Sequence, residues 1–344
     1  MSTSMMDETL PTNTEKKESK LAKIGQFREI GLLVFIVILV IAVQLRNSSF
    51  LTLENISDMA TNTAILSILA VGMMLVLVTR GIDLSIGATL ALSGMIVAQF
   101  VSNHPGTSPI VAILMGIGIG IVCGLVIGGL VSYLGVLPII ATLAMMNIFR
   151  GLTYMVSDGK WISSYQMPES FVGIATSKLL GVNTLIIVAL IVYAFAIYFI
   201  GHTRTGRQIY AVGSNPESAK VTGISEKKVF IIVYTLMGGL SGLSGVLWVS
   251  KFASAQGDTA TGYELSVIAA CILGGVSIAG GAGKLSGVIL GAFLIGILNN
   301  ALPLLNVSPF WQKGIEGSII LAAVLLNVMV KRGVERNNLL KRRV

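Results

Sequence analysis

Between Ile30 and Val330 the chain is cut into ten apolar runs that leave no regular polar positions for water to occupy. A membrane-spanning helix needs about 20 mostly apolar residues at about 1.5 Å each. Seven runs meet that measure plainly: Ile30 to Leu45, Thr63 to Thr79, Ile86 to Val101, Pro109 to Leu134, Leu179 to Ile200, Val229 to Ser250 and Ile315 to Val330. Three are weaker. Pro138 to Met155 carries Asn147 and Arg150, while Glu264 to Ile278 and Leu285 to Leu302 are short and flank a glycine cluster. Only 12% of the 344 residues are charged and 54% are hydrophobic, against about 25% charged in soluble domains, so a water-soluble globule is excluded. The 39 glycines lie inside the runs, where small residues let helices approach closely. No stretch alternates as a barrel strand must. The expected fold is an all-α polytopic membrane protein of about ten transmembrane helices, some short or broken.

Orientation follows from the 24 Lys and Arg residues, which concentrate in cytoplasmic loops. With ten spans and both termini cytoplasmic, 18 fall inside and six outside, namely Arg46, Arg150, Lys160, Lys178, Lys251 and Lys313. The net charge of +8 therefore reads as membrane topology rather than a nucleic-acid surface. The organisation has a polar, unstructured cytoplasmic tail over 1–29, a transmembrane domain over 30–330 and a basic cytoplasmic tail over 331–344. Two connections are long enough to hold structure, an outer one over 157–178 and an inner one over 202–228. No small-residue cleavage site follows the first run, so a cleaved signal peptide is not expected. Re-entrant half-helices around Gly280 are the alternative to two further spans. Cys123 and Cys271 lie inside apolar runs without metal-ligand spacing and read as small core residues.

No energy source is visible in the chain itself. Gly280-Gly-Ala-Gly-Lys-Leu-Ser286 is the nearest approach to a phosphate-binding loop. It lacks the first required glycine, having Ile278 there, and has Leu285 after Lys284 where Ser or Thr must hold Mg²⁺. The deep span positions hold Asn, Ser and Thr rather than the carboxylates of an ion-driven carrier, and the two histidines, His104 and His202, sit in loops with no catalytic or metal spacing. A neutral, hydroxyl-rich solute suits such a path. An ion-coupled secondary transporter is the alternative.

The inner connection carries a marked helix. Asn215 can cap it, Pro216 suits its first position, Glu217 favours the positive dipole end, Lys220 the negative end, and Gly223 stops it. A helix of this length is far below the roughly 12 to 15 residues needed for marginal stability alone, so it must be held by its own inner face or by a partner.

The stretch His202-Thr-Arg-Thr-Gly-Arg-Gln-Ile-Tyr-Ala-Val-Gly-Ser-Asn-Pro-Glu-Ser-Ala-Lys-Val-Thr-Gly-Ile224 resembles the cytoplasmic loop of permease subunits of ribose-type ABC importers. Thr79-Arg-Gly-Ile-Asp-Leu-Ser-Ile-Gly87 and Gly262-Tyr-Glu-Leu-Ser-Val-Ile-Ala-Ala-Cys-Ile-Leu-Gly-Gly-Val-Ser-Ile-Ala-Gly-Gly281 match the same family, and the resemblance runs from about Phe50 to the last span. Ser214 stands where the family often has Gly, Lys220 where Arg is frequent, and the N-terminal tail lies outside the resemblance. The family implies the ABC importer permease fold in a bacterial cytoplasmic membrane. It also implies a second permease subunit, identical or paralogous, a cytoplasmic ATP-binding subunit and an extracytoplasmic sugar-binding protein. No cofactor would bind this chain, ATP and Mg being used by the partner. By that resemblance Arg204, Gly206, Arg207, Asn215, Pro216, Glu217, Ala219, Lys220 and Gly223 form the ATPase-coupling loop. Ribose, xylose, galactose, rhamnose and autoinducer-2 are the family's cargoes.

Six further residues are candidates for the path or its gate: Asp83, Asn147, Arg150, Glu264, Asn299 and Asn300. Asp83 follows Arg80 by three positions and would pair with it or gate the mouth. Glu264 opens a short helix, where the dipole alone favours a carboxylate. Asn147 and Arg150 share a helical face suited to sugar hydroxyls, or else to interhelical bonding and snorkelling. Asn299 and Asn300 are adjacent and point to different faces, so at most one lines a path.

Overall fold

The computed structural model describes residues 13–308 together with 310–312, 314, 315, 317, 318, 321, 322 and 325. The first long helices are α1 (Asn13–Arg46), α2 (Leu53–Val78), α3 (Ile86–Asn103), α4 (Pro109–Ser132) and α5 (Pro138–Ser157). After a short α6 (Glu169–Thr176) and a hairpin of β1 (Lys178–Leu179) and β2 (Val182–Asn183) come α7 (Thr184–His202), α8 (Arg204–Ser214) and α9 (Pro216–Val221). The described chain closes with α10 (Glu226–Phe252), α11 (Tyr263–Leu273) and α12 (Leu285–Leu304). Eight of the described helices are long and apolar enough to cross a membrane, and the protein is an all-α, multi-pass membrane protein. The run Ile315 to Val330 and the tail 331–344 lie largely outside the described residues, as do residues 1–12.

Residues 13–29, expected as part of an unstructured tail, are instead helical and continuous with the first apolar run. Glu, Lys and Ala are strong helix formers, and a helix already nucleated by Ile30 onward extends at little cost. Glu29 ties this helix to the start of α12, its carboxylate lying 3.4 Å from Lys284 and accepting from Ser286 at 3.1 Å.

The bundle is built around α2, which is buried over 89% of its apolar window, whereas α1 is buried over only 11%. Neighbours follow α2 from one end to the other. Tyr263 shares a cleft with Asn62 and Leu66, Cys271 Sγ donates to the Ala70 carbonyl at 3.3 Å, and the Gly281 N–H donates to the Val78 carbonyl at 2.9 Å. Residues 263–281 thus run alongside α2 for about 24 Å at 1.5 Å per residue, passing through the bundle rather than dipping in and returning. The first half is helix. The second is unwound, with Gly275, Gly280 and Gly281 at positive φ. The return is α12, whose Gly296 packs on Thr63 and whose Asn300 pairs with Asn55. The molecule therefore has an Arg80 end and a Lys251 end.

At the Lys251 end the connection after α5 is structured, as its length allowed. Ser250 Oγ donates to the carbonyls of Phe171 and Val172 and accepts from the Ala175 N–H, docking α6 on α10. Ile162 and Ala255 form an isolated antiparallel bridge, each N–H donating to the other's carbonyl at 3.0 Å. Trp161 and Tyr165 remain exposed and Phe171 is buried.

The α4–α10 contact explains the glycines. A methyl group at Gly120 would strike the Gly238 carbonyl, one at Gly124 the Tyr234 carbonyl, and one at Gly116 would lie 3.0 Å from the Gly242 carbonyl. The two backbones touch, as small residues permit in membranes. Gly118, on the opposite face of α4, has nothing within 4 Å of such a methyl. Gly118→Ala should melt at or above the parent, since Ala exceeds Gly in helix propensity by about 1 kcal/mol. Gly120→Ala should melt several degrees lower, overpacking costing about 1–3 kcal/mol. Equal melting of the two variants in detergent would contradict this packing.

Candidate functional site

Two of the marked ends in the inner connection become real caps. Asn215 Oδ1 accepts from the Ser218 N–H at 3.1 Å at the start of α9, Pro216 takes the first helical position, and Gly223 turns the chain at φ +82°. Ala219 is the buried residue of α9, and its carbonyl accepts from the Ile224 N–H at 3.0 Å. Glu217, Ser218, Lys220 and Val221 are exposed, Val221 at 88%. So short a helix is held on one side by α8 and α10 and leaves the opposite side bare.

A second helix, α8, lies directly before it and was not expected from the sequence. Thr203 Oγ1 caps it by accepting from the Gly206 N–H at 3.0 Å. A methyl at Gly206 would come within 2.5 Å of the Phe199 carbonyl and 2.6 Å of that of Ile200, so only glycine allows so tight a turn out of α7. Gly206, Ile209, Val212 and Gly213 are buried, while Arg204 and Arg207 are exposed. That 3–4 spacing is an amphipathic signal legible in principle. Among the described residues no salt bridge involves Arg204, Arg207, Glu217 or Lys220.

The end of α8 is clasped by the break between α2 and α3. Arg80 donates from Nε to the Gly213 carbonyl and from Nη2 to the Ser214 carbonyl, both at 2.7 Å. Its own backbone sits at φ +67°, a left-handed conformation that costs a non-glycine residue about 1–2 kcal/mol. A methyl on Gly213 would collide with the Val78 carbonyl, the same oxygen that accepts from Gly281. Tyr210 donates to the Gly283 carbonyl at 2.7 Å, and burial pushes its phenol up to about 12, which keeps it a donor. One cluster therefore joins α8, the α2–α3 break and the unwound stretch after α11. Each of these hydrogen bonds ends on a main-chain carbonyl.

Asp83 does not pair with Arg80, whose guanidinium is turned to α8. In the linker between α2 and α3, Asp83 Oδ1 instead accepts from the Ser85 N–H at 2.8 Å and the Ser85 hydroxyl at 2.7 Å, at the start of α3. Burial pushes its carboxyl up to about 6, against the pull of those two bonds.

The other candidates separate into two places. Arg150 donates from Nη1 to the carbonyls of Gly257 and Thr259, each at 2.8 Å, and so clamps the loop before α11. Glu264 lies beyond that loop, its Oε2 beside Gly87 at the start of α3. Asn147 donates to the Leu143 carbonyl of its own helix at 3.0 Å and is exposed, so it is not interhelical glue. Asn300 is engaged with Asn55, whereas Asn299 lines a cleft at the Lys251 end with Asn62, Trp248 and Tyr263. Asn300 borders that cleft as well, so both of the adjacent pair line it, where at most one was expected. Cys123 and Cys271 are both buried and free. Among the described residues no group of three or more His, Cys, Asp or Glu could hold a metal ion.

The site is thus a cap-marked helix pair clasped to the breaks of an all-α membrane bundle. The family described as branched-chain amino acid transport system / permease component matches residues 55–324. The ribose import permease protein RbsC of Escherichia coli K12 is 38% identical over 297 residues, covering 86% of this chain and 92% of that protein. RbsC of Bacillus subtilis 168 is also 38% identical, over 303 residues and 88% and 94% of the two chains. The D-allose transport system permease protein AlsC of Escherichia coli K12 is 34% identical over 301 residues, 87% and 91% of the two chains. No solved structure matches the chain. The chain belongs to this permease-component family, in its ribose-type ABC importer branch.

Proposed function

We propose that this chain is the membrane-spanning subunit of an importer that carries a monosaccharide or sugar-like solute of the ribose, rhamnose or autoinducer-2 type across a bacterial cytoplasmic membrane. A separate ATP-binding subunit docks on α9 and the exposed face of α8 from the cytoplasm, consuming ATP and Mg. A sugar-binding protein delivers solute at the Lys251 end, and a second permease subunit completes the path. Both termini lie in the cytoplasm, which is the side of Arg80, Lys284 and the 202–228 connection under the distribution of Lys and Arg.

The observation that carries this reading is the bare side of α9. It presents Glu217, Lys220 and Val221 exposed, with no salt bridge to Glu217 or Lys220 among the described residues, while its other side leads through α8 to Arg80 and the helix breaks. Movement of a docked partner would enter the spans there, ATP shifting the populations of inward-open and outward-open states. Asp83 sits in the α2–α3 break, Glu264 beside the start of α3 and Arg150 against the loop before α11, and they act as gate residues for such a motion.

Energisation tests the proposal. Vesicles holding this chain, its ATP-binding subunit and its binding protein should accumulate a labelled sugar such as D-ribose only when ATP is supplied, and should keep doing so after ionophores collapse all ion gradients. Uptake by this chain alone, driven by an ion gradient, would replace the reading with an ion-coupled carrier.

A further inference from the structure

We propose that the cleft at the Lys251 end, between α2, α10, α11 and α12, is a binding station for one neutral polyhydroxylated ring. Its volume is about 230 Å³, below the roughly 300–1,000 Å³ of pockets that take drug-sized ligands. One wall is aromatic. Trp248 meets Tyr263 edge to face at 5.1 Å between ring centroids and Phe252 at 4.9 Å, offering apolar ring surface for the C–H face of a sugar.

The polar groups of the cleft are amides and one ammonium, that of Lys251, which lies 5.1 Å from the Phe252 ring centroid. Lys251 donates to Asn62 Oδ1 at 2.6 Å, which uses one of its three N–H donors. Asn299 makes no hydrogen bond among the described residues and lines the same cleft. Hydroxyl groups, each a donor and an acceptor, match a wall of amide N–H, amide C=O and N–H⁺ better than an all-acceptor anion would. Lys251 lies in the last turn of α10 and has no carboxylate within salt-bridge distance among the described residues. Asp58, one helical turn from Asn62 along α2, lies beyond that distance. The balance favours a neutral ligand.

The inference rests on the importer reading, and a fluorescence titration separates the two. Trp161→Phe and Trp311→Phe, both at exposed positions, leave Trp248 as the single tryptophan of the chain. In lipid nanodiscs free of sugar-headed detergent, D-ribose, D-allose and further pentoses and hexoses are titrated, and uptake of each by the intact complex is measured alongside. The sugar that is imported should change Trp248 emission saturably. Asn62→Ala and Lys251→Met should each raise the half-saturating concentration at least fivefold at unchanged melting temperature. A sugar that is imported while emission stays flat, or with titrations unchanged in both variants, overturns the station and leaves the importer standing. Import of no sugar at all overturns both.

Discussion

Arg80→Ala is expected to reduce ATP-driven uptake by more than tenfold while leaving the ATP-binding subunit bound. The guanidinium forks between the Gly213 and Ser214 carbonyls, two of the unpaired oxygens at the end of α8. Hydrogen bonds from a charged donor are worth about 1.5–3 kcal/mol each, and Arg supplies both from one rigid plane, which Lys cannot copy. Their loss frees the docking helices from the break they would drive. Docking survives because α9 and the exposed face of α8 are untouched. Arg80→Gly separates the two roles of the residue. It loses the same bonds and should be equally uncoupled, but it relieves the φ +67° backbone and should melt higher than Arg80→Ala. Arg80→Ala with undiminished uptake would show that the clasp transmits nothing.

The spans were legible because a bilayer demands about 20 apolar residues and the chain has little else. The α9 helix was legible because its caps are written locally in Asn215, Pro216 and Gly223. What escaped was set by partners far away in the chain. Nothing near Arg80 announces that it will reach carbonyls more than 130 residues on, and the expectation of a pair with Asp83 came from reading only the local spacing. The broken helix after Leu273 was ambiguous because eleven helical residues fall short of a membrane, and only the contacts of Cys271 and Gly281 with α2 show that the chain goes through. The glycines of α4 could be seen as small, but not which of them touch α10, since Gly118 and Gly120 differ only in the face they occupy. Residues 13–29 show the opposite error, composition having been read for polarity when helix propensity decided.

On the proposed function, α9 is where an external ATPase takes hold. Its exposed turn is held in shape by Pro216 and the Asn215 cap, a cap of this kind being worth about 1 kcal/mol, and it presents Lys220 and Glu217 with no salt bridge among the described residues. Interfaces concentrate their energy in a few residues costing 2 kcal/mol or more when lost, about thirtyfold in affinity. Pro216→Gly combined with Lys220→Glu loosens the turn and reverses its charge, leaving the buried Ala219 and the spans alone. The measurement is copurification of the tagged chain with its ATP-binding subunit from the same membranes. The parent should bring that subunit down at equal amounts and the double variant at less than a tenth, with both permeases inserted and melting alike. An unchanged ratio would place the ATPase elsewhere or remove it, and with it the reading of this chain as a motor-driven permease.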